Sequence, residues 1–337
     1  MYQKLQDVTL KTNERVELGV VLAPEDKTQL GAQIRKLMGH KGEIWVWQVE
    51  KSLSGSYPGM ETRFYILLKA GVPFANIMTS ESHGVGIFGH VWTVPEERRK
   101  GAADIIHHHL MEDFKKRGGK ALYLGTGYDT HPYRLYAKYG FRGVEPRSGY
   151  MYWFAQGQDA FESEAFAPAK TRQEPLAFQH WPALPPLAMM KHPARVRIAN
   201  MNVINIHSSE GGSLPFLMAM DGKEQELTAV GMRAWVSVSE KSNLPVAIAS
   251  LKPDALFGEQ VDVVDLFCAP GFEPELPRLY EKLHANPERR AVCYADTLWP
   301  AKTEALKRCG FEKTAALKRH LRTPEQVLDV ELWSAKG

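Results

Sequence analysis

The sequence predicts an α/β chain, of the α+β kind, built from two related domains. Three observations carry this. The chain has 337 residues, too many for one ordinary core at roughly 100–200 residues per domain. Residues 91–141 reappear as 261–311 at a constant shift of 170: Val91 and Val94 fall on Val261 and Val264, Gly101 on Gly271, Gly140 and Phe141 on Gly310 and Phe311. Strand and helix patterns alternate in one order through both windows.

The elements of the first window follow in turn. Apolar, β-branched runs at 64–69 and 74–78 read as strands around a Gly-Pro turn, and 85–94 as a longer β-rich stretch. Pro95 to Gly101 breaks the pattern. Residues 102–117 read as a helix, because Ala103, Ile106, Leu110 and Phe114 share one face. Lys115, Lys116 and Arg117 suit the last turn, and Gly118 ends it. A strand begins at 122–124, a short helix spans 133–139, and 141–144 and 150–154 complete the window. Pro168, Pro175, Pro182, Pro185, Pro186 and Pro193 crowd the stretch after it. The expected division is therefore a domain at 1–160, a Pro-rich connector at 161–194 with short helical pieces, and a second domain at 195–337.

Composition narrows the function. Lys and Arg exceed Asp and Glu by 42 to 39, which gives no reason to expect nucleic acid or an anionic membrane as a partner. No apolar run reaches the ~18–20 residues of a membrane span, and the polar, mixed-charge N-terminus is unlike a secretory signal. Cys268, Cys293 and Cys309 form neither a disulfide framework nor a zinc-ligand spacing. A reduced, cytoplasmic compartment and no metal are the expectation. The oligomeric state is not legible.

The sharpest feature is a strand ending at Thr93 and Val94, a basic turn with Arg98, Arg99 and Lys100, and a helix opening on Gly101, Ala102 and Ala103. Unpaired backbone amides at the positive end of a helix suit a pyrophosphate, and small residues admit its oxygens. Arg98-x-x-Gly101-x-Ala103 resembles the Arg/Gln-x-x-Gly-x-Gly/Ala signature of the GNAT superfamily of acyl-CoA-dependent N-acyltransferases. Leu135 and Tyr136, followed by Gly140 and Phe141, resemble that family's next motif, in the expected place. The resemblance is close over 90–141 and looser over 17–153. It implies two GNAT-like domains, each a mixed, mostly antiparallel twisted sheet flanked by helices. It implies acetyl-CoA as co-substrate and an amine of a small molecule or peptide as acceptor.

The resemblance also assigns roles. A free amide near Thr93 or Val94 would face the thioester oxygen, and Tyr136 would protonate the departing thiolate. Asp129 stands where the family often has a CoA-contacting Asn, and Pro132 where it often has Ala. From spacing alone, His90, Trp92 and Val94 share a strand face, and His90 is either a proton relay or a packed strand residue. Glu81 and His83 read as a solvated loop, and His107, His108 and His109 as helix surface. Leu124 to Leu135, with Gly125 and Gly127, also resembles the glycine-rich loop of carboxyl methyltransferases that use S-adenosylmethionine, which belongs to a doubly wound sheet. A further alternative is an acyl-CoA-binding protein without turnover. In the second window Cys268, Phe272 and Leu306 replace Arg98, Ala102 and Tyr136, and Glu273 and Glu275 oppose a phosphate. That copy is expected to be degenerate.

Overall fold

Alternating burial builds the first sheet. In β3 (Met60–Lys69) Tyr65 and Leu67 point into one core, while Phe64 and Ile66, of opposite parity, are buried on the other face. Helices therefore cover both faces. The sheet contains β1 (Tyr2–Thr9), β2 (Arg15–Leu22), β3, β4 (Val72–Ser82), β5 (Val85–Thr93), β6 (Ala121–Gly125), β7 (Arg142–Gly143) and β8 (Tyr150–Phe154), in the order β1-β2-β3-β4-β5-β6-β8-β7. Of its pairings only β5 and β6 run parallel; the rest are antiparallel. A doubly wound parallel sheet is thereby ruled out, so the glycine-rich loop at 125–127 lacks the fold that S-adenosylmethionine binding of that kind needs.

Two helices, α1 (Gln29–Met38) and α2 (Glu43–Ser54), lie on one face. Thr28 caps α1 by accepting from the Gly31 amide at 3.0 Å. On the other face α3 (Ala102–Lys116) and α4 (His131–Lys138) cover a core of Leu18, Tyr65, Phe88, Ile106, Leu110, Phe114 and Phe141. His107 belongs to that core and is fully buried, so the helix-surface reading fails for it; His108 is exposed as expected. Glu81 is not in a solvated loop either. It ends up buried on β4, held by Arg117 at 2.5 and 2.9 Å.

The structure is a computed structural model that describes residues 1–205, 211–222 and 231–336. It divides into two compact units, Met1–Phe161 and Glu162–Gly337. After α5 (Gln158–Ala165), the second unit holds β9 (Thr171–Pro175), α6 (Leu184–Met189), β10 (Val196–Ile198), β11 (Val203–Ile204), α7 (Leu214–Asp221), β12 (Arg233–Ser239), β13 (Pro245–Pro253), β14 (Val261–Cys268), α8 (Glu275–Leu283), β15 (Arg290–Asp296), α9 (Pro300–Arg308), β16 (Glu312–Arg322) and β17 (Val327–Lys336). Its main sheet has the order β16-β17-β15-β14-β13-β12-β9, and again, among the described residues, one pair, β14 and β15, is parallel.

Two expectations need correction. Residues 161–194 are not a connector: β9 pairs with β12, and Trp181, Leu184, Leu187 and Met189 are buried. Proline there ends an edge strand and starts a helix, both places that tolerate it. The repeat is also not free of gaps. From the left-handed Gly101 and Gly271, both at φ 89°, the shift of 170 holds to Gly140 and Gly310. Before them it breaks, because Val85 pairs with Ala121 whereas Val261 pairs with Arg290. As a result β14 ends three residues before Gly271, while β5 ends eight before Gly101.

Candidate active site

The parallel pairing of β5 with β6 covers only Val85 to Ile87 against Ala121 to Tyr123. Beyond it the two strands part. A bulge in β5 sets the divergence: two residues, His90 and Val91, oppose the single Ile77 of β4. His90 sits at φ 53°, and buried Asn76 donates to its carbonyl at 3.0 Å. The bulge re-aims the side chains. Phe88, Val91 and Val94 pack on the core beneath α3, while His90 and Trp92 meet the α1–α2 face. Val94 thus leaves the face predicted for it. Its amide is also taken, donating to the Phe74 carbonyl at 2.9 Å. Successive strand amides point to opposite edges, so the Thr93 amide is the one directed to the open side.

The turn after β5 begins with one 3₁₀ turn at Pro95–Glu97. Arg99 at φ 63° and Gly101 at φ 89° then curl the backbone into a concave run that opens α3. Among the described residues, none accepts from the amides of Arg99, Lys100, Gly101, Ala102 or Ala103. Arg99, Gly101, Ala102 and Ala103, though not Lys100, border a cleft of about 920 Å³, lined also by Thr93, Trp92, Arg98, Asp104, Pro132, Leu135 and Lys138. Arg98 donates to the Thr93 carbonyl at 3.0 Å and lies over the Trp92 ring at 4.5 Å. Lys100 is tied to Glu97 at 3.0 Å.

Of the residues expected here, Thr93, Arg98, Arg99, Gly101, Ala102 and Ala103 line the cleft. Asp129 does not; it faces Arg134 at the surface, with contacts of 3.0 and 3.2 Å, and the guanidinium holds its carboxyl below the usual range. Tyr136 is buried in the core beside the cleft, edge-on to Phe88 at 5.3 Å, one residue after cleft-lining Leu135. His90 donates through Nε2 to Gln48 at 2.6 Å. Burial, then the charges of Lys41 and His40, push its pKa down to about 3, so it is a poor base near neutrality. Sequence reasoning missed Lys11. It stands on the β1–β2 turn, far away in sequence, yet its amide bonds the Lys100 carbonyl at 3.0 Å and its side chain enters the cleft.

The corresponding divergence in the second unit is filled by its own chain. Arg195 and Val196 donate amides to Asp296 at 2.6 Å each. Asn200 donates its amide to Asp265 at 2.6 Å and its side chain to the Val263 carbonyl at 3.0 Å. Lys302 reaches the Val196 carbonyl at 3.3 Å and pairs with Asp265. The turn is closed too: Phe272 is buried, its amide spent on the Ala269 carbonyl, and Glu275 turns inward to Ser237 at 2.7 Å. Among the described residues, no group of His, Cys, Asp and Glu is placed to hold a metal ion, and no helix is long and apolar enough to cross a membrane.

No protein-family profile matches the chain, and no curated protein matches it in sequence. Solved structures that resemble it are acetyltransferases of the GNAT family, and they cover about half of it. A GNAT-family acetyltransferase from Streptococcus pneumoniae is 12% identical, with a TM-score of 0.36, covering 49% of this chain and 98% of its own. Spermidine N-acetyltransferase from Vibrio cholerae, in complex with CoA and spermine, is 11% identical, with a TM-score of 0.36, covering 49% of this chain and 94% of its own.

Proposed function

We propose that the first unit is an acyl-CoA-dependent N-acetyltransferase that moves an acetyl group directly to a primary amine of a small molecule or peptide, and that the second unit is a degenerate copy without a cofactor site. The observation that carries this is the joint arrangement of parted parallel strands and five unspent amides opening α3. The amides and Arg99 suit a pyrophosphate, and the parted strands leave a slot for an extended thioester arm.

Transfer forms an N–C bond and breaks a C–S bond. The Thr93 amide is positioned to donate to the thioester oxygen as charge grows there. Tyr136 gives its phenolic proton to the leaving thiolate, the amine attacks in its neutral form, and the proton that the nitrogen sheds as the amide forms passes through water to the tyrosinate, restoring the phenol. His90 has the wrong basicity to take the amine proton; its role in this account is to hold the bulge against Gln48.

The test is thiol release from acetyl-CoA with a panel of amines, alongside direct binding of acetyl-CoA. Release that depends on an amine supports the proposal. Tight binding without release across the panel would favour an acyl-CoA-binding protein without turnover. Binding of neither acetyl-CoA nor CoA would remove the reading altogether.

A further inference from the structure

The sheet face opposite α3 is open where β5 leaves β6. Gly89 stands just past Ile87, the last residue of β5 that pairs with β6. It lies directly across from Met78 of β4, and residues directly opposite share a face. Met78 is buried, and Gln48 Nε2 of α2 meets its Sδ at 3.7 Å, so Gly89 belongs to the α1–α2 side. A Cβ there would have nothing within 4 Å. A strand glycine with empty space over it lets a ligand approach the backbone closely. The next residues on this face, His90 and Trp92, carry further rings. Trp45 lies edge-on to His90 at 5.6 Å, and His40 stacks on Trp92 at 3.6 Å.

The charges around these rings have one sign. The Lys41 ammonium lies 5.7 Å from the Trp92 ring centre and the Arg98 guanidinium 4.5 Å. Burial first, then Lys41 and Arg98, hold the His40 imidazole below its ordinary pKa, and Lys41 and His40 add to burial at His90 in the same way. Of the two carboxylates on α1 and α2, Glu50 pairs with Arg35 at 2.5 Å and Glu43 is exposed on the first turn of α2. An amine that arrives as a bare cation is repelled here. One that brings its own anion is attracted.

Resting on the N-acetyltransferase reading, we propose that the acceptor enters over Gly89 on the α1–α2 face and is a primary amine that also carries an anionic group, as an amino acid does, with that anion held beside Lys41 and Arg98. A polyamine is the wrong substrate for such a face, because every charge it carries is positive. The rings of Trp45 and Trp92 add apolar area for the body of the acceptor.

The experiment compares matched acceptors with the full chain and acetyl-CoA: phenylalanine against phenylalaninamide, O-phosphoethanolamine against ethanolamine, and spermidine. In at least one pair the anionic member should have the higher kcat/KM by about tenfold, the size of one charge-assisted contact, with spermidine below it; the pair that shows this tells carboxylate from phosphate. Lys41→Ala should remove most of that preference, and Lys41→Arg, which keeps the charge, should retain it. Gly89→Val fills the opening and should raise the KM of the preferred amine by at least about tenfold. Acetyl-CoA affinity should stay within about twofold in each variant, which also shows that the fold is intact. Preference for the members without an anion or for spermidine would overturn the proposal. So would a preference that Lys41→Ala leaves untouched, or an unchanged amine KM in Gly89→Val. Acetylation of cationic amines alone would overturn this proposal and leave the N-acetyltransferase reading standing. Acetyl-CoA binding with no amine acetylated would remove that reading, and this proposal with it.

Discussion

Tyr136 is the residue on which turnover depends in this account. Tyr136→Phe keeps the ring against Phe88 and removes only the hydroxyl. We expect kcat to fall by about 10²–10⁴, the usual size of general acid catalysis, with acetyl-CoA affinity unchanged. A change confined to the KM for acetyl-CoA would reassign the phenol to binding. His107 makes a different prediction, about stability. Its ring is buried against Tyr139 at 4.0 Å and Phe88 at 4.7 Å, and burial pushes its pKa down to about 3. Unfolded, it titrates near 6.5, so below that pH the unfolded chain binds the extra proton. Stability should therefore be full above pH ~6.5 and decline toward pH ~3, by up to ~1.4 kcal/mol per pH unit for each such imidazole. His107→Leu should flatten the fall in melting temperature between pH 6 and 4. An unchanged slope would show that other groups set the acid limit.

The elements that were legible from sequence are those whose signals are local. The basic turn, the apolar stripe of Ile106, Leu110 and Phe114, and the Gly140 stop all act within a few residues. The bulge was not legible, because alternation through His90, Trp92 and Val94 looks unbroken; only the pairing with β4 shows the extra residue. The β1–β2 turn was missed for a related reason: Lys11 earns its place through a backbone bond to Lys100. Burial of Glu81 likewise depends on Arg117, thirty-six residues away. The bulge itself can be tested. Asn76→Ala removes the donor to the His90 carbonyl and leaves that partly buried acceptor without it, at a cost of about 1–3 kcal/mol. The expected readout is a lower melting temperature together with weaker acetyl-CoA binding, since the bulge parts β5 from β6. Loss of stability with binding intact would mean that the slot does not depend on it.

At the scale of the whole chain, two units share a sheet plan and an φ 89° glycine, yet differ where a cofactor would enter. In the second unit the strand-to-helix turn is shorter, Pro270 and Pro274 remove amides, and 195–200 bonds into the gap between β14 and β15. One chain should therefore take one acyl-CoA, at the turn of the first unit. The measurement is calorimetric titration of acetyl-CoA into wild type, Gly101→Asp and Gly271→Asp, each first checked for folding. The expected result is one site per chain, an affinity loss of at least about tenfold (~1.4 kcal/mol) for Gly101→Asp, and none for Gly271→Asp. Two sites per chain, or equal weakening by both substitutions, would contradict it.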